Sequence, residues 1–338
     1  MKAPVLPAAA SALLLIASCG PFEDVRSYAN LDLRPPTLLA FSAEDAQSLT
    51  MRFDEPTLLQ EDSLSVSPAL ELSAPLREAE EVRLAAVGQQ PGRQYVLEGV
   101  AEDLRGNSTN FLLRFYGHND AVPKLLINEF TCRGSSAHPD KVELKAVNGG
   151  NLSAVTLYNG TPDNHEDRLI FPELMLGAGD FLVVHFKPQG IPEEIDETGS
   201  KSESAGLDAC DTAYDFWMAG ATGLGNNNGV LCLTRCPGGT VLDAVLYSNR
   251  TSDSDERYLG FGTRDTLERA LELAERHGWI GGGDRIRPED AVNPEGSTAT
   301  RSICRRSAAD TNTRADWYIV PTRQASFGED NSAEIYVP

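Results

Sequence analysis

The feature that most constrains the fold is apolar alternation with a period of two, broken at short intervals by turn signals. Leu49, Met51 and Phe53 alternate with Thr50 and Arg52, and Tyr95 and Leu97 oppose Val96 and Glu98. Phe111, Leu113 and Phe115 oppose Leu112 and Arg114 in the same way. Successive side chains of a strand point to opposite faces, so each run reads as a strand with one buried face. Gln90-Pro91-Gly92 and Arg105-Gly106-Asn107 break the runs, and these residue types supply the φ values that tight turns need. Short strands at this spacing predict an antiparallel sandwich of about 85 residues between Thr37 and Tyr116. Arg34-Pro35-Pro36 marks its start, because consecutive prolines resist helix and central strand alike.

A second β-rich segment begins at Pro123. Leu125–Phe130 reads as a strand, and Val142, Leu144 and Ala146 alternate against Lys141, Glu143 and Lys145, the pattern of a half-exposed strand. Asn148-Gly149-Gly150-Asn151 turns the chain into Leu152–Tyr158, and further strands are expected at Phe181–Phe186, Val230–Leu233, Val241–Tyr247 and Trp317–Val320. Two long insertions interrupt this segment, near 187–225 and 248–300. The first is acidic and Gly-rich, with Tyr214, Phe216 and Trp217 as its aromatic cluster. The second holds one short helix, with Leu267, Ala270, Leu271 and Ala274 as an apolar stripe. Asp265 with Glu268 gives it a capping pattern and Gly278 a stop.

Residues 1–18 have their own logic. Lys2 is a minimal positive start, and Val5–Ala17 is apolar but too short to span a bilayer. Small residues lead directly into Cys19-Gly20. This arrangement resembles the lipobox of bacterial lipoproteins; an ordinary signal peptide with a chance cysteine is the alternative. The resemblance implies diacylglyceryl attachment at Cys19, acylation of its amine, and, with Gly20 in place of Asp, release to the outer membrane. Two acyl chains already anchor a protein stably. Residues 19–33 then read as a tether.

With 1–18 removed, 320 of the 338 residues remain, enough for about two domains. A hydrophobic content of 41% with 23% charged residues is that of globular protein. The net charge of −21 repels phosphate backbones, which excludes nucleic acid as the expected partner. Besides Cys19 there are Cys132, Cys210, Cys232, Cys236 and Cys304. In an exported protein these read as disulfide formers, at most two bridges with one thiol over and the pairing left open.

Two family resemblances follow. Met51-Arg52-Phe53-Asp54-Glu55-Pro56, then Pro91-Gly92-x-x-Tyr95-Val96-Leu97, then Asp103-x-x-Gly106-Asn107 resemble the Ig-like module of bacterial surface-anchored proteins, over residues 34–120. Such modules act as spacers. Asp103 is placed to accept amide hydrogen bonds across the turn, and Gly106 or Asn107 to take the left-handed conformation. Ile127-Asn128-Glu129, Val142-Glu143-Leu144 with Asn148, Leu176-x-x-Gly179-x-Phe181-Leu182-Val183-Val184, Gly229–Leu233, Gly239–Tyr247 and Trp317 with Pro321-Thr322 resemble a bacterial lamin-tail domain, over residues 124–330. The pattern departs at Ala154-Val155, where the family has Gly-Trp, and at Ala178, where a turn proline is common. The implied fold is an Ig-like β-sandwich.

No pattern of catalytic chemistry emerges. His118, His138, His165, His185 and His277 are scattered without paired ligand spacing. His165-Glu166-Asp167 reads as a solvated turn, and neither a nucleophile elbow nor a P-loop occurs. Asp253-x-Asp255-Glu256 and Asp208-x-x-Asp211 are the nearest approaches to a calcium loop and lack its ligand ladder. Asn128, Glu129 and Glu143 are read as satisfying backbone amides at strand ends or facing solvent. The expectation is thus an all-β chain of two Ig-like sandwiches in tandem, without catalytic residues, metal or cofactor. It is expected to be a non-enzymatic outer-membrane lipoprotein, anchored through Cys19 and displaying the lamin-tail domain to another envelope or extracellular protein. Tyr214, Phe216 and Trp217 are the candidate contacts. The alternatives are a calcium-dependent adhesin or a protein associated with a hydrolase or nuclease.

Overall fold

A computed structural model describes residues 32–43 and 45–338; the expected leader, Cys19 and most of the tether lie outside them. The first sandwich is built from β1 (Leu38–Ser42), β2 (Ser48–Phe53), β3 (Thr57–Leu59), β4 (Ser65–Ser67), β5 (Glu71–Leu72), β6 (Leu76–Glu78), β7 (Glu81–Val87), β8 (Gln94–Asp103) and β9 (Ser108–Tyr116). One sheet runs β1-β2-β7-β5 with β6 also on β7; the other centres on β8, with β9 along one edge and β3 and β4 along the opposite edge. Leu49, Met51, Phe53, Val82, Leu84, Tyr95, Leu97 and Phe115 fill the space between them. Tyr95 and Phe115 stack with centroids 5.2 Å apart. The closing turn forms as its residues dictate. Asp103 Oδ1 accepts from the Arg105 and Asn107 amides at 2.7 and 2.9 Å, and Gly106 takes the left-handed position with φ 89°.

The second sandwich holds β10 (Leu125–Thr131), β11 (Lys141–Ala146), β12 (Gly150–Asn151), β13 (Thr156–Gly160), β14 (His165–Ile170), β15 (Met175–Leu176), β16 (Phe181–His185), β17 (Tyr214–Trp217), β18 (Asn228–Thr234), β19 (Val241–Ser248), α1 (Arg264–Glu275), β20 (Ile303–Arg305) and β21 (Trp317–Ile319). A six-stranded sheet, β17-β16-β11-β10-β20-β21, packs on a four-stranded sheet, β14-β13-β18-β19. A continuous apolar core fills the space between them, with Phe130, Leu144, Leu157, Val184, Phe216, Leu231 and Val245 at its centre. The chain is therefore all-β, two sandwiches in tandem, with α1 as the single α-helix among the described residues. No helix among those residues is long and apolar enough to cross a membrane.

Several local expectations change. Leu152–Val155 is a turn rather than a strand start, with Ala154 at φ 66°. His165 opens strand β14 instead of a solvated turn, and Glu166 pairs with Arg269 at 2.9 Å. The helix is capped by Thr263, whose side chain accepts from the Thr266 amide, and His277 at φ 59°, not Gly278, takes the left-handed exit. Its buried residues are Thr266, Arg269, Ala270 and Leu273, so the inward stripe is rotated by one position and Leu271 stays 44% exposed. The rotation follows from Arg269, whose guanidinium bonds Asn164 and Glu166 on the β13–β14 loop and strand.

Candidate functional site

The strand expected to be half exposed is covered on both faces. Lys141 is 8% and Glu143 0% exposed, because the segment after β21 folds back over the outer face of the six-stranded sheet. Glu129 on β10 and Glu143 on β11 are directly opposed there. A bulge between Ile127 and Glu129 leaves Asn128 outside the pairing, and its carboxamide donates to Glu143 at 2.6 Å and to Asn331 at 2.8 Å. Ser326 donates its amide and its hydroxyl to Glu129 at 2.9 and 2.7 Å, and the Gly328 amide donates to Glu143. Between them Phe327 packs on Phe181, Val183 and Ala213 and lies 4.4 Å from the Lys141 ammonium. Burial pushes both glutamates up, Glu143 well above the ordinary range, with the neighbouring Glu129 charge adding to it. Lys141 also bonds Asp208 at 2.9 Å. Burial alone would raise Asp208, but the charge and hydrogen bond of Lys141, together with His138, outweigh it and leave that carboxyl low. Chemically this is a latch: two buried acids held by one closing segment.

A second buried pair crosses the core. Nη2 of Arg305 on β20 donates to both carboxylate oxygens of Asp243 on β19, its Nη1 donates to Asp310 at 3.1 Å, and its Nε donates to the Ile127 carbonyl at 2.8 Å. Burial raises the Asp243 carboxyl to about 7, against the pull of the Arg305 charge. The pair ties the two sheets together.

The aromatic cluster lies elsewhere than expected. Tyr214–Trp217 is not an exposed loop but β17, which joins β16 in parallel register at the sheet edge. Phe216 is fully buried against Phe171, Trp217 is 7% exposed, and only Tyr214 is half-buried. The Trp217 ring stacks on His185 with centroids 3.9 Å apart. His185 Nε2 and Asp215 Oδ1 are 2.7 Å apart and enclosed. The second Asp215 oxygen accepts from the Cys210 amide, and buried Glu197 accepts from the Asp215 amide. These bonds sew the first insertion to the sheet edge. The expected bridges are also absent: Cys132, Cys210, Cys232, Cys236 and Cys304 are all unjoined. They sit on separate strands and loops, with Cys132, Cys232 and Cys304 inside.

The two calcium-like motifs serve internal bonding. Asp255 accepts from the Tyr258 and Gly262 amides, and Asp208 bonds Lys141 and His138. A set of oxygens that the sequence did not single out is Asp32, Glu55 and Asp103 on the first sandwich, all within 4.8 Å of one another. Glu55 and Asp103 stood in separate motifs and Asp32 in none, so residues this far apart gave no signal of meeting.

An open volume lies between the sandwiches. A cavity of about 960 Å³ is bordered by Phe41 and Arg114 of the first sandwich, His118 of the connection, and Arg235, Val241 and Arg276 of the second. Its floor is the joint itself. Asn119 Nδ2 donates to the carbonyls of Asn151 and Ser153 at 2.8 and 3.1 Å, and Arg235 donates to the Asn119 carbonyl at 2.6 Å. A Cβ on Gly92 would stand 2.6 Å from the Ser153 Cβ and 2.9 Å from the Ala154 nitrogen. The turn at Gly92 thus touches the second sandwich backbone to backbone.

Comparison with known proteins places the second sandwich within a family. The family described as the TP_1001 protein second domain matches residues 123–319. An uncharacterized protein of Treponema pallidum (strain Nichols) is 31% identical over 158 residues, which are 47% of this chain and 40% of that protein. The match spans well under half of the relative's length. A DUF4876 family protein from Bacteroides thetaiotaomicron, known from its crystal structure, has 15% identity over 84% of this chain and 93% of its own, with a TM-score of 0.30. A score that low carries no argument about shape or function.

Proposed function

We propose, on the premise that this chain belongs to the family of the TP_1001 protein second domain, that it is a lipid-anchored, non-catalytic display protein of the bacterial outer membrane. Cys19 carries the lipid, the first sandwich is the spacer, and the family domain, which resembles a lamin-tail domain, presents the interaction surface to another envelope or extracellular protein. The observation that carries this reading is the joint. Gly92 lies against Ser153 and Ala154, and Asn119 and Arg235 bond across the boundary. A spacer that swings freely presents its cargo in every direction, whereas a packed joint fixes one.

Small-angle scattering on the full chain carrying Cys19→Ser tests this reading. A single rigid arrangement should fit the wild-type joint, and Gly92→Val, which adds a branched side chain at φ 72° where only glycine fits, should broaden it. A wild-type curve that already requires many domain orientations would overturn the presenting role.

A further inference from the structure

We infer that the cleft between the two sandwiches binds an amphipathic organic anion, an acid group carried on an apolar body. The chain holds 50 acidic residues against 29 lysines and arginines, so a randomly chosen cleft wall would be acidic. This one carries Arg114, His118, Arg235 and Arg276 and no carboxylate among the described residues. Arg276 is already engaged by Glu272 and Asp163, and His118 by Asp120. Arg114 and Arg235 are the two whose charge no carboxylate among the described residues meets; Arg235 spends one N–H on the Asn119 carbonyl. A guanidinium presents a planar fork that matches a carboxylate, phosphate or sulfonate. Beside the two forks stand Phe41, Pro237 and Val241, half-buried and apolar. A volume of about 960 Å³ is that of a small-molecule site rather than of a macromolecular groove. The inference concerns the cleft alone and is independent of the lipid anchor and of any protein partner.

The probe is decanoate, titrated calorimetrically into the full chain carrying Cys19→Ser, with decanol and inorganic phosphate run separately. Decanoate should bind saturably at one site per chain, and decanol and phosphate each at least about tenfold more weakly, because each lacks either the charge or the apolar body. Arg114→Gln, at an exposed position, should weaken decanoate about tenfold without moving the melting temperature, and Arg235→Gln should act likewise. If Arg235→Gln fails to fold, Arg114→Gln decides alone. Absence of saturable binding, equal binding of decanol, equal binding of phosphate, or wild-type affinity in Arg114→Gln would each overturn the inference.

Discussion

Glu129 and Glu143 oppose each other on neighbouring strands, both 0% exposed, and each accepts a backbone amide from the same closing segment, residues 326–328. Two carboxylates this enclosed cannot both hold a charge cheaply. The fold meets them with N–H groups of a segment that is 197 and 185 positions away in the chain.

That arrangement predicts a pH dependence. Both carboxyls are raised above the ordinary 4.5, so between 4.5 and their raised values the fold keeps protons that the unfolded chain has lost. Their contribution to stability is therefore full below about pH 4.5 and declines as pH rises. The melting temperature of Glu143→Gln relative to wild type should shift in favour of the variant from about pH 5 to about pH 8. A difference that stays constant across that range would contradict the assignment.

The closing segment is held by Phe327 as well as by the acids. Phe327→Ala removes apolar area on Phe181, Val183 and Ala213 and should cost about 1–2 kcal/mol. Amide exchange at Ser326 and Gly328 should accelerate while the core of β13 and β18 stays protected. Uniform acceleration across the domain would mean that the segment does not open on its own.

Arg305 and Asp243 are 2% and 1% exposed. Asp243→Ala leaves a buried guanidinium with only the Asp310 carboxylate at 3.1 Å, for a loss of about 3 kcal/mol. Replacing both, Asp243→Leu with Arg305→Met, should recover much of it, as read by denaturant unfolding. Additive losses in the double variant would show that the two residues act independently.

Thiol titration in denaturant without reductant should find five thiols besides Cys19, since none of the five is joined. In the folded chain Cys132 and Cys232, whose thiols burial pushes up to about 12, should react far more slowly than half-buried Cys210 and Cys236. Fewer than five thiols in denaturant would restore the bridges expected from an exported chain.

What the sequence made legible was local. Period two marked β2, β8 and β9, because one face of each meets a core and the other meets solvent. The Asp103–Asn107 turn was legible because its residues close on themselves. The outer face of β11 was not, because its cover is an irregular segment with no periodicity of its own. Tyr214, Phe216 and Trp217 stood out as a cluster, yet nothing local announces that they add a parallel strand to β16 instead of meeting solvent. The buried charges of Asp243 and Arg305 look, in sequence, like any solvated pair. The cleft was equally hidden: Arg114 sits on the polar side of a strand and Arg235 beyond another, and only the joint brings both to its lining.

The most direct measurement is fractionation of cells producing the wild-type chain or Cys19→Ser. Wild type should appear in the outer-membrane fraction, extracted only by detergent, and Cys19→Ser should be missing from that fraction. A wild-type chain in the soluble fraction, or Cys19→Ser retained in the outer membrane, would contradict the anchored display role.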